Sequence, residues 1–355
     1  MFLEEVRNLT KPDLYLHVGT HKTGTTAIQE YLARYRKELA ERGLLYPDTR
    51  AGFWKSTAGH HPLAHALARD SLKDRARREV YRRWLARSTR GMRAAIISAE
   101  PIYRHALGPA AHNRPEEWFA SHIAYLQRLA HWARGFRIRP VVYFRQPEDL
   151  AVSLYKEHVV RRGSRSARNR LPEFASGLSS VFAYPEHIAV LEGTLGPTEV
   201  RDYTAARRVG LETDFLNFVG VSGLPAPARA SVRTSPGNRA TLWLSGLPAD
   251  LSRRDHTRRV LFALRADPEG PFHEPERTTL WPDRAAFEAF VDRHRTAYEL
   301  PFLDEPRWRD LPPARWTPAD DDATEAAFRV WEAENLDLLR RRESQRLTFY
   351  QPDPE

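Results

Sequence analysis

Lys22 stands inside a loop bounded by Gly19 and Gly24, between the apolar run 14–18 and a helical stretch that begins near Thr25. Strand, glycine-bounded loop and helix start make a phosphate-binding arrangement. Successive loop N–H groups converge on an anion, and the helix adds its positive end. The two glycines have the spacing of a nucleotide triphosphatase loop, but Thr25 occupies the position where that loop carries its lysine. The cation therefore meets a different atom of a bound nucleotide. Thr23, Thr25 and Thr26 add hydroxyl donors beside Lys22. A second group lies further along. Arg145 closes the apolar run 138–144, Pro147 opens a helix with Glu148 and Asp149 in its first turn, and Ser153 shares a face with Asp149 at i, i+4. An arginine fork with a hydroxyl suits a terminal phosphate, so the two groups together suit a nucleotide phosphorylated at both ends.

Lys22-Thr23-Gly24-Thr25-Thr26, taken with Arg145, Pro147, Asp149 and Ser153, resembles the paired motifs of the sulfotransferases that use 3′-phosphoadenosine 5′-phosphosulfate (PAPS). The run 17–29 is most similar to bacterial and carbohydrate-type members, and the resemblance covers about 1–220. It implies a P-loop-like sulfotransferase fold. It implies that Lys22, Thr23, Gly24, Thr25 and Thr26 grip the 5′-phosphosulfate and that Arg145 and Ser153 grip the 3′-phosphate. Lys22 would steady the bridging oxygen as the S–O bond breaks. The family's base lies near the end of the third strand, where this chain has Glu100. A carboxylate in that role calls for a partly desolvated site that raises its pKa towards neutrality. The implied product is adenosine 3′,5′-bisphosphate, no metal is required, and the acceptor is a hydroxyl or amine of a glycan, glycolipid or small metabolite. The Gly-x-x-Gly-x-x-Lys element of the cytosolic animal type is missing. Arg233 or Arg239 offers a substitute, although Ser235-Pro236 equally reads as a helix start.

The elements that must position these groups alternate. Strands are expected at 14–18, 44–47, 94–100, 138–144 and 199–203, and helices at 25–41, 62–87, 116–134 and 147–162. Ala27, Ile28, Tyr31, Leu32 and Tyr35 form the inner face of the first helix. Residues 163–172 read as a polar, arginine-rich loop. From about Pro225 the chain is proline-rich, with helices near 240–264, 284–298 and 322–342. The reading is an α/β fold of three layers around a mostly parallel sheet. It is a single domain over 1–355, with a nucleotide-binding core at 1–220 and a helical C-terminal cover at 221–355.

Composition narrows the classes. The chain has no cysteine, so disulfides, thiol nucleophiles and cysteine-ligated zinc are excluded. The first residues are acidic and lack an apolar core segment, and no run approaches the roughly 20 apolar residues of a membrane span, so a cytoplasmic protein without membrane insertion is expected. The formal charge of +9 admits anionic ligands, but only 6 of the 55 basic residues are lysine, and the arginines alternate with acids along helices. This reads as composition bias rather than nucleic-acid recognition, and it makes a loop lysine stand out. The run Arg161, Arg162, Arg165, Arg168 and Arg170 reads as a solvated loop more readily than as an acceptor-attracting patch.

His61 and His65 lie at i, i+4 but lack the intervening carboxylate of a zinc hydrolase, so they are better placed, with His60, to line an acceptor pocket. His17 and His21 flank the loop, and the first reads as a packed strand residue. For Tyr203 the resemblance implies adenine stacking, and a core position fits it equally. Two rivals remain at this point: a P-loop kinase or triphosphatase, and a non-catalytic basic binding protein.

Overall fold

The computed structural model describes residues 11–108, 110–162, 171–225, 235–248, 250–266, 270–274, 276–337 and 339. The chain gathers into two compact units. The first takes in Met1–Pro147, Gly177–Ser231 and His294–Glu305, and the second Glu148–Ser176, Val232–Arg293 and Pro306–Glu355. The second unit therefore takes Ser153 and most of its helix, which the sequence division at 220 grouped with the nucleotide-binding core.

The first unit is built on five strands: β1 (Asp13–His17), β2 (Leu44–Leu45), β3 (Ala94–Ser98), β4 (Arg137–Phe144) and β5 (Glu199–Asp202). Their order is β2-β3-β1-β4-β5 and every pairing is parallel. Helices α1 (Thr25–Arg34) and α2 (Arg36–Glu41) follow β1. Helices α3 (His61–Ala68) and α4 (Leu72–Ser88) precede β3, and α5 (Pro101–Arg104) and α6 (Pro115–Trp132) follow it. Along the chain beyond β4 come α7 (Pro147–Arg162) and α8 (Leu171–Ser176), which belong to the second unit from Glu148 on, then α9 (Tyr184–Leu195) of the first unit, and beyond β5 come α10 (Tyr203–Val209) and α11 (Leu211–Phe218).

Both faces of the sheet are covered, which is why β3 reads as a continuous apolar run rather than an alternating one. On one face Ile28 and Leu32 of α1 and Phe215 of α11 pack with Ile96 and Val141. Alternation sends Ile97, Val142 and Phe144 to the other face, where the Phe144 ring stacks on Tyr184 at 4.2 Å. Each such fully buried side chain contributes roughly 1.5–3 kcal/mol. The arrangement is consistent with a three-layer α/β fold.

Three expected helices are interrupted, each for a local reason. The first breaks at Tyr35, whose φ of −103° and ψ of 29° leave the helical region. The second breaks after Ala68, because Arg69 is extended and Ser71 caps a new helix by accepting from the Asp74 N–H. The third becomes α12 (Asn238–Gly246) and α13 (Arg253–Arg265), separated at Pro248 and restarted by the Ser252 cap.

In the second unit α14 (Arg284–Arg293) sets Phe287 and Phe290 against Trp281, and α15 (Pro318–Glu334) joins α12 and α13 around the rings of Trp243, Phe262 and Phe328. Arg239 is paired with Asp320 at 2.9 Å. Arg233, Arg165, Arg168 and Arg170 lie outside the described residues, as does most of the expected loop at 163–172. No helix among the described residues is long and apolar enough to cross a membrane.

Candidate functional site

β1 is the central strand, so its carboxyl end opens at the middle of the sheet edge. The connection after β1 passes through α1 on one face, whereas the connection after β3 passes through α6 to reach β4. Adjacent strands whose connections diverge leave a crevice at their carboxyl ends, the usual ligand position in an open parallel sheet. Register sets the depth of each residue there. His17 pairs with Ser98 and with Val141, so Gly19 and Glu100 stand level, and Arg145 rises beside the loop.

The loop backbone takes three positive φ values: 55° at Gly19, 67° at Lys22 and 71° at Gly24. Among the described residues Lys22 and Phe53 are the non-glycine positions with this conformation, which costs about 1–2 kcal/mol in an L-residue. Gly24 is required twice over. Its φ favours glycine, and a Cβ there would fall 2.2 Å from Leu211 Cδ1. Two threonines hold the loop down. Thr20 donates to the Tyr143 carbonyl at 2.8 Å, and Thr23 donates to the Thr20 carbonyl at 2.5 Å. The Thr23 hydroxyl thus serves the loop itself.

α1 begins on Gly24 with no side-chain cap and no acidic residue in its first turn. Its first N–H groups therefore keep their partial positive charge for an anion. Thr25 is buried, yet its Oγ1 has no partner. Thr26 is half-buried in the same turn. Arg145 Nη1 approaches the Lys22 carbonyl at 3.5 Å, and its guanidinium lies 5.5 Å from the centre of the Tyr203 ring. The Tyr184 hydroxyl holds the Arg145 carbonyl at 2.8 Å. Lys22, Thr25, Arg145 and Tyr203 therefore gather around one loop. Ser153, half-buried on α7, belongs to the second unit.

Glu100 follows β3 and sits in a network that departs from the sequence expectation. Its Oε2 lies 2.6 Å from His61 Nε2 and accepts from Gln29 Nε2 at 3.0 Å. Burial pushes the carboxyl up, but the His61 hydrogen bond and charge, with the His21 charge, outweigh it and hold Glu100 well below the usual carboxylate range. The expected rise towards neutrality is thus corrected: desolvation is present and is outweighed by the histidine neighbours. His60, by contrast, is structural. Its ring accepts from the Ser98 N–H at 3.1 Å and reaches the Pro47 carbonyl at 3.0 Å. His65 turns to His105 at 2.9 Å. Among the described residues no three metal-ligating side chains form a group.

One participant was not singled out from sequence. Gln29 is 3% exposed and its amide reaches both Ser98 and Glu100. The signal for it was present, because Gln29 lies i, i+4 from Thr25 and so shares its helix face. His17, read as a packed strand residue, is fully buried as expected, but its Nε2 has no partner.

Compared with family models, with the curated proteins and with the solved structures, the chain matches none.

Proposed function

We propose that this chain is a sulfotransferase that moves a sulfuryl group from PAPS to an acceptor hydroxyl. The observation that carries the reading is that the Arg145 guanidinium, at a strand end, reaches the backbone carbonyl of Lys22, 123 positions earlier, at 3.5 Å, so the arginine and the lysine-bearing loop meet at one sheet edge. The open helix start behind Lys22 supplies further positive potential for the phosphosulfate. Tyr203, beside Arg145, offers a flat face to a base.

In this reading the acceptor oxygen forms a new S–O bond as the bond from sulfur to the bridging oxygen breaks. The electron pair leaves on adenosine 3′,5′-bisphosphate, where Lys22 stabilises it. The acceptor proton passes to the Glu100–His61 pair. The carboxylate is held anionic and open to a proton, and His61, 2.6 Å away, orients it. Glycan, glycolipid and small-metabolite acceptors all fit this chemistry.

Calorimetry tests the donor. Adenosine 3′,5′-bisphosphate should bind, and Lys22→Ala or Arg145→Ala should weaken it. Tight ATP–magnesium binding without bisphosphate binding would establish the kinase or triphosphatase rival instead. Affinity that falls steeply with salt yet survives Lys22→Ala would indicate a basic binding protein. For the chemistry, a labelled-sulfate transfer screen over saccharides, lipids and phenols should show Glu100→Gln slowed by about 10²-fold or more. Unchanged turnover in that variant would remove Glu100 from the mechanism.

A further inference from the structure

We propose that His17 is a neutral hydrogen-bond donor, through Nε2, to the anion held by the loop after β1. The proposal rests on reading that loop as the donor-nucleotide site.

His17 is the last residue of β1 and is fully buried. Its ring is held between Tyr143 and Phe215, with centroids at 5.5 and 5.4 Å. His17 Nδ1 lies 2.9 Å from Ser98 Oγ, and Gln29 Nε2 lies 3.3 Å from the same oxygen. Gln29 can only donate through that nitrogen, so Ser98 Oγ accepts from it. The serine hydrogen then needs an acceptor, and His17 Nδ1 is the acceptor among its described contacts. This assigns the ring proton to Nε2.

Nε2 has no partner. A Cβ built at Gly19 would stand 3.4 Å from it, 3.2 Å from Thr25 Oγ1 and 3.5 Å from Glu100 Cβ. Two buried, unpartnered polar atoms thus converge where the loop carries no side chain. Such groups are retained when something satisfies them, and anion oxygens satisfy a hydroxyl and an N–H at once. Burial, only partly offset by the Glu100 charge, lowers the imidazole pKa to about 4, so the ring is uncharged at neutral pH. A neutral N–H can bind the anion without offering it an acidic proton.

The test is nitrogen-15 histidine NMR of the full chain, with the His17 signal assigned by its loss in His17→Gln. At pH 7 it should show the Nε2–H tautomer, and the Nε2–H resonance should move when PAPS is added. His17→Leu should weaken PAPS binding by about 10-fold or more, and His17→Gln, which keeps an amide donor, by much less. If His17→Leu does not fold, the signal of the parent chain decides. A Nδ1–H tautomer, or a signal unmoved while PAPS binds, overturns the proposal and leaves the nucleotide reading standing. If neither PAPS nor adenosine 3′,5′-bisphosphate binds but inorganic pyrophosphate moves the signal, the nucleotide reading falls and His17 keeps its role. If no anion binds, both fall.

Discussion

The starts of α1 and α15 solve the same problem in opposite ways. α15 closes itself. Thr317 accepts from the Asp320 N–H, the Asp320 carboxylate accepts from the Thr317 N–H at 2.8 Å, and Asp320 and Asp321 place negative charge in the first turn. α1 has a left-handed glycine in place of a cap, no acid in the first turn, and a buried Thr25 hydroxyl without a partner. A helix start that serves stability alone gathers its own acceptors. The start of α1 leaves its first N–H groups and the Thr25 hydroxyl without such acceptors, beside a lysine at φ 67°.

The largest expected effect is of acid. Burial holds His17, His60 and His122 at about 4, against an ordinary value of 6.5. Between those values the unfolded chain binds protons that the folded chain refuses. Stability therefore falls as pH drops from about 6.5 to 4, by up to about 1.4 kcal/mol per pH unit for each histidine. Amide exchange at pH 5 should rise across residues 14–32 more than across 317–324. An equal rise would break the contrast between the two helix starts.

Next is Lys22→Ala. If the cation stabilises charge in the transition state, transfer should slow by about 10²–10³-fold, while chemical denaturation shows a much smaller loss. A stability loss matching the rate loss would make Lys22 a structural residue. Gly24→Ala should destabilise the fold by roughly 2 kcal/mol, from the left-handed backbone and the Leu211 contact, measured by urea unfolding. The smallest effects sharpen the comparison directly. Thr317→Ala should cost about 1 kcal/mol and leave nucleotide affinity alone. Thr26→Asp should do the reverse, stabilising the free chain by about 0.5 kcal/mol while weakening anion binding, in paired melting and calorimetry.

Much of the frame was legible locally. β1, β3, β4 and α7 follow their apolar runs and the Pro147 start closely. Tyr35, Ser71 and Pro248 were the breaks that periodicity passed over, because a hydrophobic stripe can continue across a cap or a single non-helical residue. The glycine-bounded loop was visible as a loop, since Gly19 and Gly24 announce positive φ by residue type. Lys22 shares that conformation without any such sign.

The chemistry around the loop was less legible. Nothing near Glu100 in the chain foretold His61, 39 positions earlier, which converts a site expected to raise its pKa into one that lowers it. Nothing near His17 foretold Ser98, 81 positions on.

The amino-acid order alone determined where β1, β3, β4 and α7 lie, which residues carry charge or hydroxyls, and that a lysine sits between two glycines. These depend on backbone preference and spacing within a few residues. Tertiary structure alone decided which of those groups touch. Parallel pairing of β1 with β3 and β4 sets His17 against Ser98, Glu100 level with Gly19, and Arg145 against Lys22. Protonation state followed from those meetings, because burial and neighbouring charge act through space and not along the chain.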